Sequence, residues 1–325
     1  MTIALDDDNK RNQVDYPNGA RFEGTYKNGK KYGYGILRLG NGTQYEGDFE
    51  DDKKHGRGSY VWRNGSHYNG EFKNDQPNGS GKLMHASGDE YEGSWLNGKK
   101  HGEGRKRWAN GNSYQGEYKN GVKEGRGIHK WANGSQYDGE WKNDQPHGKG
   151  VHIYANGDAY DGDFVNGQRH GKGLVIYSSG DRYHGDYEND VKQGRGIYTW
   201  VNGDEYEGEW NQGNPEGKGV FLWANSGIEE QPNLERQSSQ NTEEQELTRK
   251  LEKAQRNEQG DQIKKTKRTE KLKVAHSSEE LDKIEPNNKL ARTHSVEKPE
   301  SSATKVDRPR KSKKKSMDME HAAVF

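Results

Sequence analysis

"YDGEWKNDQPHGKGVHIYANGDA", residues 137–159, carries three large rings, Tyr137, Trp141 and Tyr154, but only Val151 and Ile153 as large aliphatics. A segment this poor in aliphatic side chains cannot build an ordinary core. Its pattern nevertheless returns every 23 residues without insertion, beginning at Phe22, Tyr45, Tyr68, Tyr91, Tyr114, Tyr137, Tyr160, Tyr183 and Tyr206. Nine uninterrupted copies describe a one-dimensional array rather than a single globular core.

Five columns of the repeat have no exception: an aromatic at position 1, glycine at position 3, an aromatic at position 5, and glycine at positions 12 and 14. Position 18 is usually Trp or Tyr, and positions 20 and 21 are mostly Asn-Gly. The alternation at 1, 3 and 5, and again from 12 to 18, has the period of two that belongs to strands. Each repeat therefore reads as a β-hairpin. Asn-Gly or Asn-Asp at positions 7 and 8 is expected in a longer loop, and Asn-Gly-x at positions 20 to 22 in a three-residue turn with its glycine in the left-handed region.

Cross-strand partners must share a face, so position 5 is set opposite 12 and 3 opposite 14, with 14 facing the next repeat's ring at 5. Each ring at position 5 then lies between glycines, and rings over bare backbone stand in for the aliphatic core. On the other face the same register pairs position 4 with 13. These pairs carry opposite charge in Asp48/Arg57, Glu117/Arg126, Glu140/Lys149, Asp163/Lys172, Asp186/Arg195 and Glu209/Lys218. The expected fold class is all-β: an elongated, single-layer antiparallel ribbon, on the order of 85 Å long at two strands per repeat.

The totals agree with a split chain. Of 325 residues 26% are hydrophobic and 32% charged, with 44 Gly, 18 Tyr and 8 Trp. Residues 229–325 hold no Trp or Tyr and a single Phe at the last position, and their Glu, Lys, Ser, Gln and Asn content predicts disorder. The predicted organisation is a disordered N-terminus (1–15), a partial cap (16–21), nine repeats (22–228) and a disordered charged tail (229–325). Lys+Arg and Asp+Glu both total 52, so no basic excess points to nucleic acid. The absence of Cys excludes a disulfide framework, a thiolate metal site and a cysteine nucleophile. No apolar run has the length of a signal peptide or membrane span, so the expected setting is cytoplasmic.

The stretch "YEGSWLNGKKHGEG", Tyr91 to Gly104, closely resembles the MORN (membrane occupation and recognition nexus) repeat, and the likeness extends over residues 16–228. The resemblance implies a non-enzymatic β-ribbon acting as a scaffold or interaction module. It implies settings such as cilia, flagella and other cytoskeletal structures, or alternatively attachment to membranes and phosphoinositides, or an accessory role beside a lipid kinase.

Two readings compete for the rings at positions 1, 5 and 18. They are the core of the sheet, or they leave an aromatic groove for a helical or extended peptide, with Trp95, Tyr118, Trp141, Tyr114, Tyr137, Trp108 and Trp131 as candidate contacts. No constellation of nucleophile, base and orienter appears, and no cofactor is expected. The repeated His-Gly-x-Gly lacks the ending and context of a phosphate loop and reads as structural glycine. His55, His101, His147 and His170 share position 11, but repeats two strands apart are too distant to share one metal ion, so they read as loop histidines. Asn41, Asn64, Asn78 and Asn133 stand in sequons and read as turn residues.

In the tail, "TEEQELTRKLEKAQRNEQ" has helix-forming composition, with Leu247 and Leu251 at i, i+4, and predicts a short exposed helix. Arg308, Arg310, Lys311, Lys313, Lys314 and Lys315 form a polybasic run suited to acidic phospholipids, acidic protein surfaces or nuclear import, with Ser312 and Ser316 as phosphorylation switches. The segment Arg292–Ser295 resembles a basic-directed kinase site. The ribbon's open edge strands suit homodimerisation.

Overall fold

The computed structural model describes residues 11–224 and 242–253. The polybasic run, Ser312, Ser316 and the Arg292–Ser295 segment lie outside the described residues. Among those described, nineteen strands from β1 (Arg11–Asp15) to β19 (Asn214–Leu222) form one open sheet, each pairing antiparallel with its neighbours in sequence. Each repeat is one hairpin, as the period of two requires. The array begins earlier than its sequence suggests, because β1 occupies residues that composition assigns to a disordered N-terminus. Val14 packs on the ring core and Asp15 accepts from the Arg21 guanidinium at 2.6 Å, which fixes β1 on β2 (Arg21–Lys27).

The register differs from the expected one inside every hairpin. In β12 (Gln136–Lys142) and β13 (Gln145–Ile153), Gly139 faces Gly150 as predicted, but Trp141 faces Pro146 rather than Gly148. Glu140 alone stands opposite His147, Gly148 and Lys149, a bulge of two extra residues that preserves which side chains share a face. The cause is Gly148, whose φ of 62° turns the chain in a way an L side chain rarely adopts. Position 12 does meet a ring at position 5, but across the repeat boundary, where Gly125 faces Trp141.

The turns explain the rest of the hairpin. Asn143 and Asp144 have φ of 50° and 67°, a two-residue turn with both centres left-handed, not a longer loop. The other connection has the expected three residues and left-handed glycine but begins one position earlier, at position 19: Trp131 N–H donates to Ser135 O around Ala132, Asn133 and Gly134, and Gly134 lies at φ 95°.

The ring that lies on glycine is the one at position 1. A Cβ on Gly150 would sit 2.4 Å from Tyr137 Oη, and one on Gly139 2.6 Å from the same atom. Rings at position 5 stand on edge between successive position-1 rings: Trp141 meets Tyr114 at 5.3 Å and Tyr137 at 5.1 Å, with interplanar angles of 84° and 90°. The same edge-to-face contacts run from Tyr26 and Phe22 to Trp210 and Tyr206, giving one unbroken zipper of eighteen rings. Where position 1 is tyrosine, its hydroxyl adds a second contribution that Phe22 of the first repeat lacks. The bulge takes the position-4 carbonyl out of the ladder, and the phenol donates to it, as Tyr137 does to Glu140 O at 2.9 Å. Eight of the nine repeats make this bond.

The opposite face carries charge pairs, offset by one repeat from those expected. Lys149 Nζ meets Asp163 and Lys172 Nζ meets Asp186, both at 2.7 Å, linking position 13 to position 4 of the next repeat. Within a repeat the position-4 carboxylate instead accepts the backbone N–H of position 13, as Glu117 does from Arg126 at 2.9 Å.

On that face also lies the single helix among the described residues, α1 (242–253). The sequence predicts an exposed helix, yet Leu247 is fully buried in a second cluster with Ile153, Ala159 and Leu174, flanked by Val151, Ile176 and Leu251. A helix of this length is marginal alone in water, so the docking sustains it. Leu247→Asp is expected to release α1 while leaving the array folded. Limited proteolysis should then cut within 242–253 at least about tenfold faster than in the parent, with an unchanged far-ultraviolet β-sheet signal.

Candidate functional site

The two faces differ in what they leave available. On the ring face, Tyr114, Tyr137, Tyr118, Trp141 and Trp95 are all buried. Three tryptophans there also spend their indole N–H internally: Trp95 donates to Gly81 O, Trp141 to Gly127 O and Trp210 to Gly196 O, at 2.9–3.1 Å. Of the seven candidate contacts, Trp108 and Trp131 at position 18 are half-buried and so present ring surface to solvent. They sandwich His129, whose ring lies 5.3 Å from Trp108 and 4.3 Å from Trp131 in stacked geometry. Burial first, and then the nearby Lys123 charge, lowers the His129 pKa to about 4, so its imidazole is neutral at physiological pH.

Position 10 adds a cation on the ring face in six repeats, the other three carrying Pro77, Pro146 and Pro215. Lys31, Lys54 and Arg169 each pair with an aspartate at position 8 of the next repeat, Asp52, Asp75 and Asp190. Lys100 and Lys192 face Gly121 and Gly213 at that place, and among the described residues neither they nor Lys123 have a carboxylate at ion-pair distance. Their ammonium groups sit on rings instead. Lys123 Nζ is 3.7 Å from the Trp141 centroid, and Lys192 contacts Tyr177, Tyr183, Tyr198 and Trp210 at 4.6–5.4 Å. Burial lowers both Lys123 and Lys192 to about 8.

The sign of the consequence follows from proton counting. Between about pH 8 and the ordinary lysine value of 10.5, the unfolded chain holds more protons than the folded one, so this contribution makes stability rise with pH. Below about pH 8 both states are charged and the slope vanishes. Urea midpoints measured across this range should therefore climb above about pH 8 in the parent relative to Lys192→Met.

The face opposite the rings is grooved. Its floor is the row in which column 15 alternates across the strands with column 2, and its sides are columns 4 and 13 along one edge and columns 17 and 23 along the other. From repeat 5 onward column 15 is aliphatic without a break: Ile128, Val151, Leu174, Ile197 and Val220. In repeats 2 to 4 it is Ser59, Lys82 and Arg105. α1 lies where this floor is joined by Ile153 and Ile176 of column 17. Charges fix its direction. Glu244 pairs with Arg182, Glu243 lies 3.8 Å from His184, and Lys250 bonds Asp161 at 3.0 Å. Cavities of ≈ 560 Å³ beside Arg126, Ile128 and Lys253 and of ≈ 780 Å³ beside Ile197 and Val220 continue the groove past the two ends of the helix.

Other sequence-marked residues fall into structural roles. His55, His101, His147 and His170 lie on strands rather than in loops, and His55 Nδ1 is 3.1 Å from the Glu50 carboxylate. Among the described residues no group of three His, Asp or Glu is placed to hold a metal ion. Asn41, Asn64 and Asn133 cap their turns by accepting the N–H two residues on, at 2.9–3.0 Å. Asn78 differs, since it lies within the strand Gln76–Met84. Reading the sequence for rings and charges misses the aliphatic groove floor, although its 23-residue spacing is a signal that could find it.

The MORN repeat family model matches nine consecutive segments, 22–44, 45–67, 68–90, 91–113, 114–136, 137–159, 160–182, 183–205 and 206–228. No curated protein matches the chain. Among solved structures, the chain is similar to the wild-type TCP10 domain of Danio rerio CPAP, at 14% identity and TM-score 0.36 over 64% of this chain and 97% of that one. It is also similar to the SAS-4 TCP domain of Drosophila melanogaster in complex with a proline-rich motif of Ana2, at 10% identity, TM-score 0.28, and 62% and 90% coverage. A third similarity is to Staphylococcus aureus virginiamycin B lyase, at 12% identity, TM-score 0.15, and 68% and 83% coverage.

Proposed function

The chain belongs to the MORN repeat family, and from that premise we propose that it is a non-enzymatic interaction scaffold holding a helical segment of a protein partner in the groove opposite its rings. The observation that carries this reading is α1 itself, an amphipathic helix seated in the groove with Leu247 fully buried and its charges paired with Arg182 and Asp161 of the sheet. Helix-in-groove recognition works through such i, i+3, i+4 anchors. The setting proposed is cytoplasmic, on a cytoskeletal structure such as a cilium or flagellum, by the family resemblance.

The ring face supports a second reading, in which Trp108, Trp131 and the ammonium groups without carboxylates meet an extended acidic peptide. Photo-crosslinking from two positions separates the readings. A crosslinker at Ile197 should capture the partner and one at Trp131 should not. Capture from Trp131 alone would move the site to the ring face, and capture from neither would remove the scaffold reading.

A further inference from the structure

We infer that the groove over repeats 5 to 9 is built for a helix about twice as long as α1, carrying an apolar residue every seventh position, and that α1 is a short resident in the middle of that site. The inference rests on the scaffold reading and specifies the partner's chemistry.

The first observation is a match of pitch. Glu243 and Lys250 are seven residues apart, about 10.5 Å along a helix axis. Their partners stand on β16 (Arg182–Glu188) and β14 (Ala159–Val165), two strands apart, or about 9.6 Å. One repeat of the sheet therefore advances by nearly the length of one heptad. A helix laid across the strands keeps the same face on the floor from repeat to repeat, and a modest tilt absorbs the difference.

The second observation is that the floor outruns its occupant. Column 15 is aliphatic over five repeats, alternating in the floor with Asp138, Asp161, His184 and Glu207 of column 2, and spans about 38 Å, which a helix of about 26 residues covers. α1 has twelve residues and packs on Val151 and Leu174 of this column. At the ends Ile128 is 37% exposed and Val220 58% exposed, and the cavities beside them continue the groove.

Charges on the sheet then set the polarity of the occupant. Column 13 offers Arg126, Lys149, Lys172, Arg195 and Lys218; Lys149 and Lys172 are ion-paired to Asp163 and Asp186, and Arg126 and Arg195 stand opposite Glu140 and Glu209 in the register. The discriminating groups are Arg182 towards the helix N-terminus and Asp161 towards its C-terminus. The fitting partner is acidic at its start and basic towards its end in the segment over repeats 6 to 8, the sense that also suits the helix dipole. Because α1 is tethered to the same chain, it competes at high effective concentration and must leave before the longer helix seats.

The test uses the full chain and two labelled synthetic peptides, residues 242–253 and a helix of about 26 residues that repeats the Leu247/Leu251 spacing in each heptad with the same charge polarity. Fluorescence anisotropy should show the long peptide binding Leu247→Asp at least about tenfold more tightly than the parent chain. Adding Ile128→Asp or Val220→Asp to that variant should weaken the long peptide by about tenfold and leave the short one unchanged. Equal binding of both peptides, insensitivity to Ile128→Asp and Val220→Asp, or no binding to the released groove would each overturn the proposal. If the Ile197 crosslinker still captures a partner in that case, the scaffold reading survives and only the heptad-matched site is lost.

Discussion

Gly150→Ala is expected to destabilise the array by about 3 kcal/mol, the upper part of the range for overpacking a dense core. The added methyl would lie 2.4–2.7 Å from Tyr137 Oη, Cζ and Cε2. The ring has nowhere to go. It is completely buried, its hydroxyl is bonded to Glu140 O, and Trp141 and Phe164 abut it at 5.1 Å on either side. Lys149→Ala, one residue away on the charged face, should cost no more than about 1 kcal/mol, the scale of an exposed ion pair. Urea denaturation of the parent and the two variants checks both values. A Gly150→Ala midpoint indistinguishable from that of Lys149→Ala would show that the ring does not lie on the glycine.

Tyr137→Ala is expected to cost more, about 3–5 kcal/mol, because it opens a cavity in the zipper and severs the contacts to Trp141 and Phe164 together. Tyr137→Phe keeps the ring and should cost about 1–3 kcal/mol, since the Glu140 carbonyl at the bulge is left without its donor. In an array stabilised by nearest-neighbour contacts, the alanine variant should also divide unfolding into two steps, on either side of repeat 6. The two sites must couple: in the Tyr137→Ala background the Gly150→Ala penalty should largely vanish, because the cavity accepts the methyl. Additive costs would contradict ring-on-glycine packing.

The period, the hairpins, the three-residue turns and the two faces were legible in the sequence because a strict repeat makes each column a nine-fold observation. The register was legible only in part. A glycine column can mean a missing Cβ or a left-handed backbone, and the letters do not distinguish them. The glycine at repeat position 14, as at Gly150, is the first kind. The one at repeat position 12, as at Gly148, is the second, and its turn creates the bulge that moves Trp141 from Gly148 to Pro146. Mistaking one for the other also assigns the covering ring to position 5 instead of position 1.

The docked helix was legible as a helix, from Leu247 and Leu251, but its seat was not. A seat depends on matching two distant surfaces, Val151, Ile153, Leu174 and Ile176 on one side and Leu247 on the other, and no local periodicity joins them. The candidate ring contacts show a similar limit. Invariant aromatics invite a recognition role, but a column with no exceptions here serves the packing, and ring surface is left to the more variable position 18.

Hydrogen exchange of the tryptophan indole N–H groups, followed by NMR, tests this division between building and presenting rings most directly. Trp95, Trp141 and Trp210 donate to backbone carbonyls within the zipper, so their indole protons should exchange only through unfolding of their repeats. Trp62, Trp108, Trp131 and Trp200 at position 18 should exchange orders of magnitude faster. Protection of Trp131 equal to that of Trp141, or rapid exchange at Trp141, would contradict the arrangement of one buried ring zipper with an outer presented row.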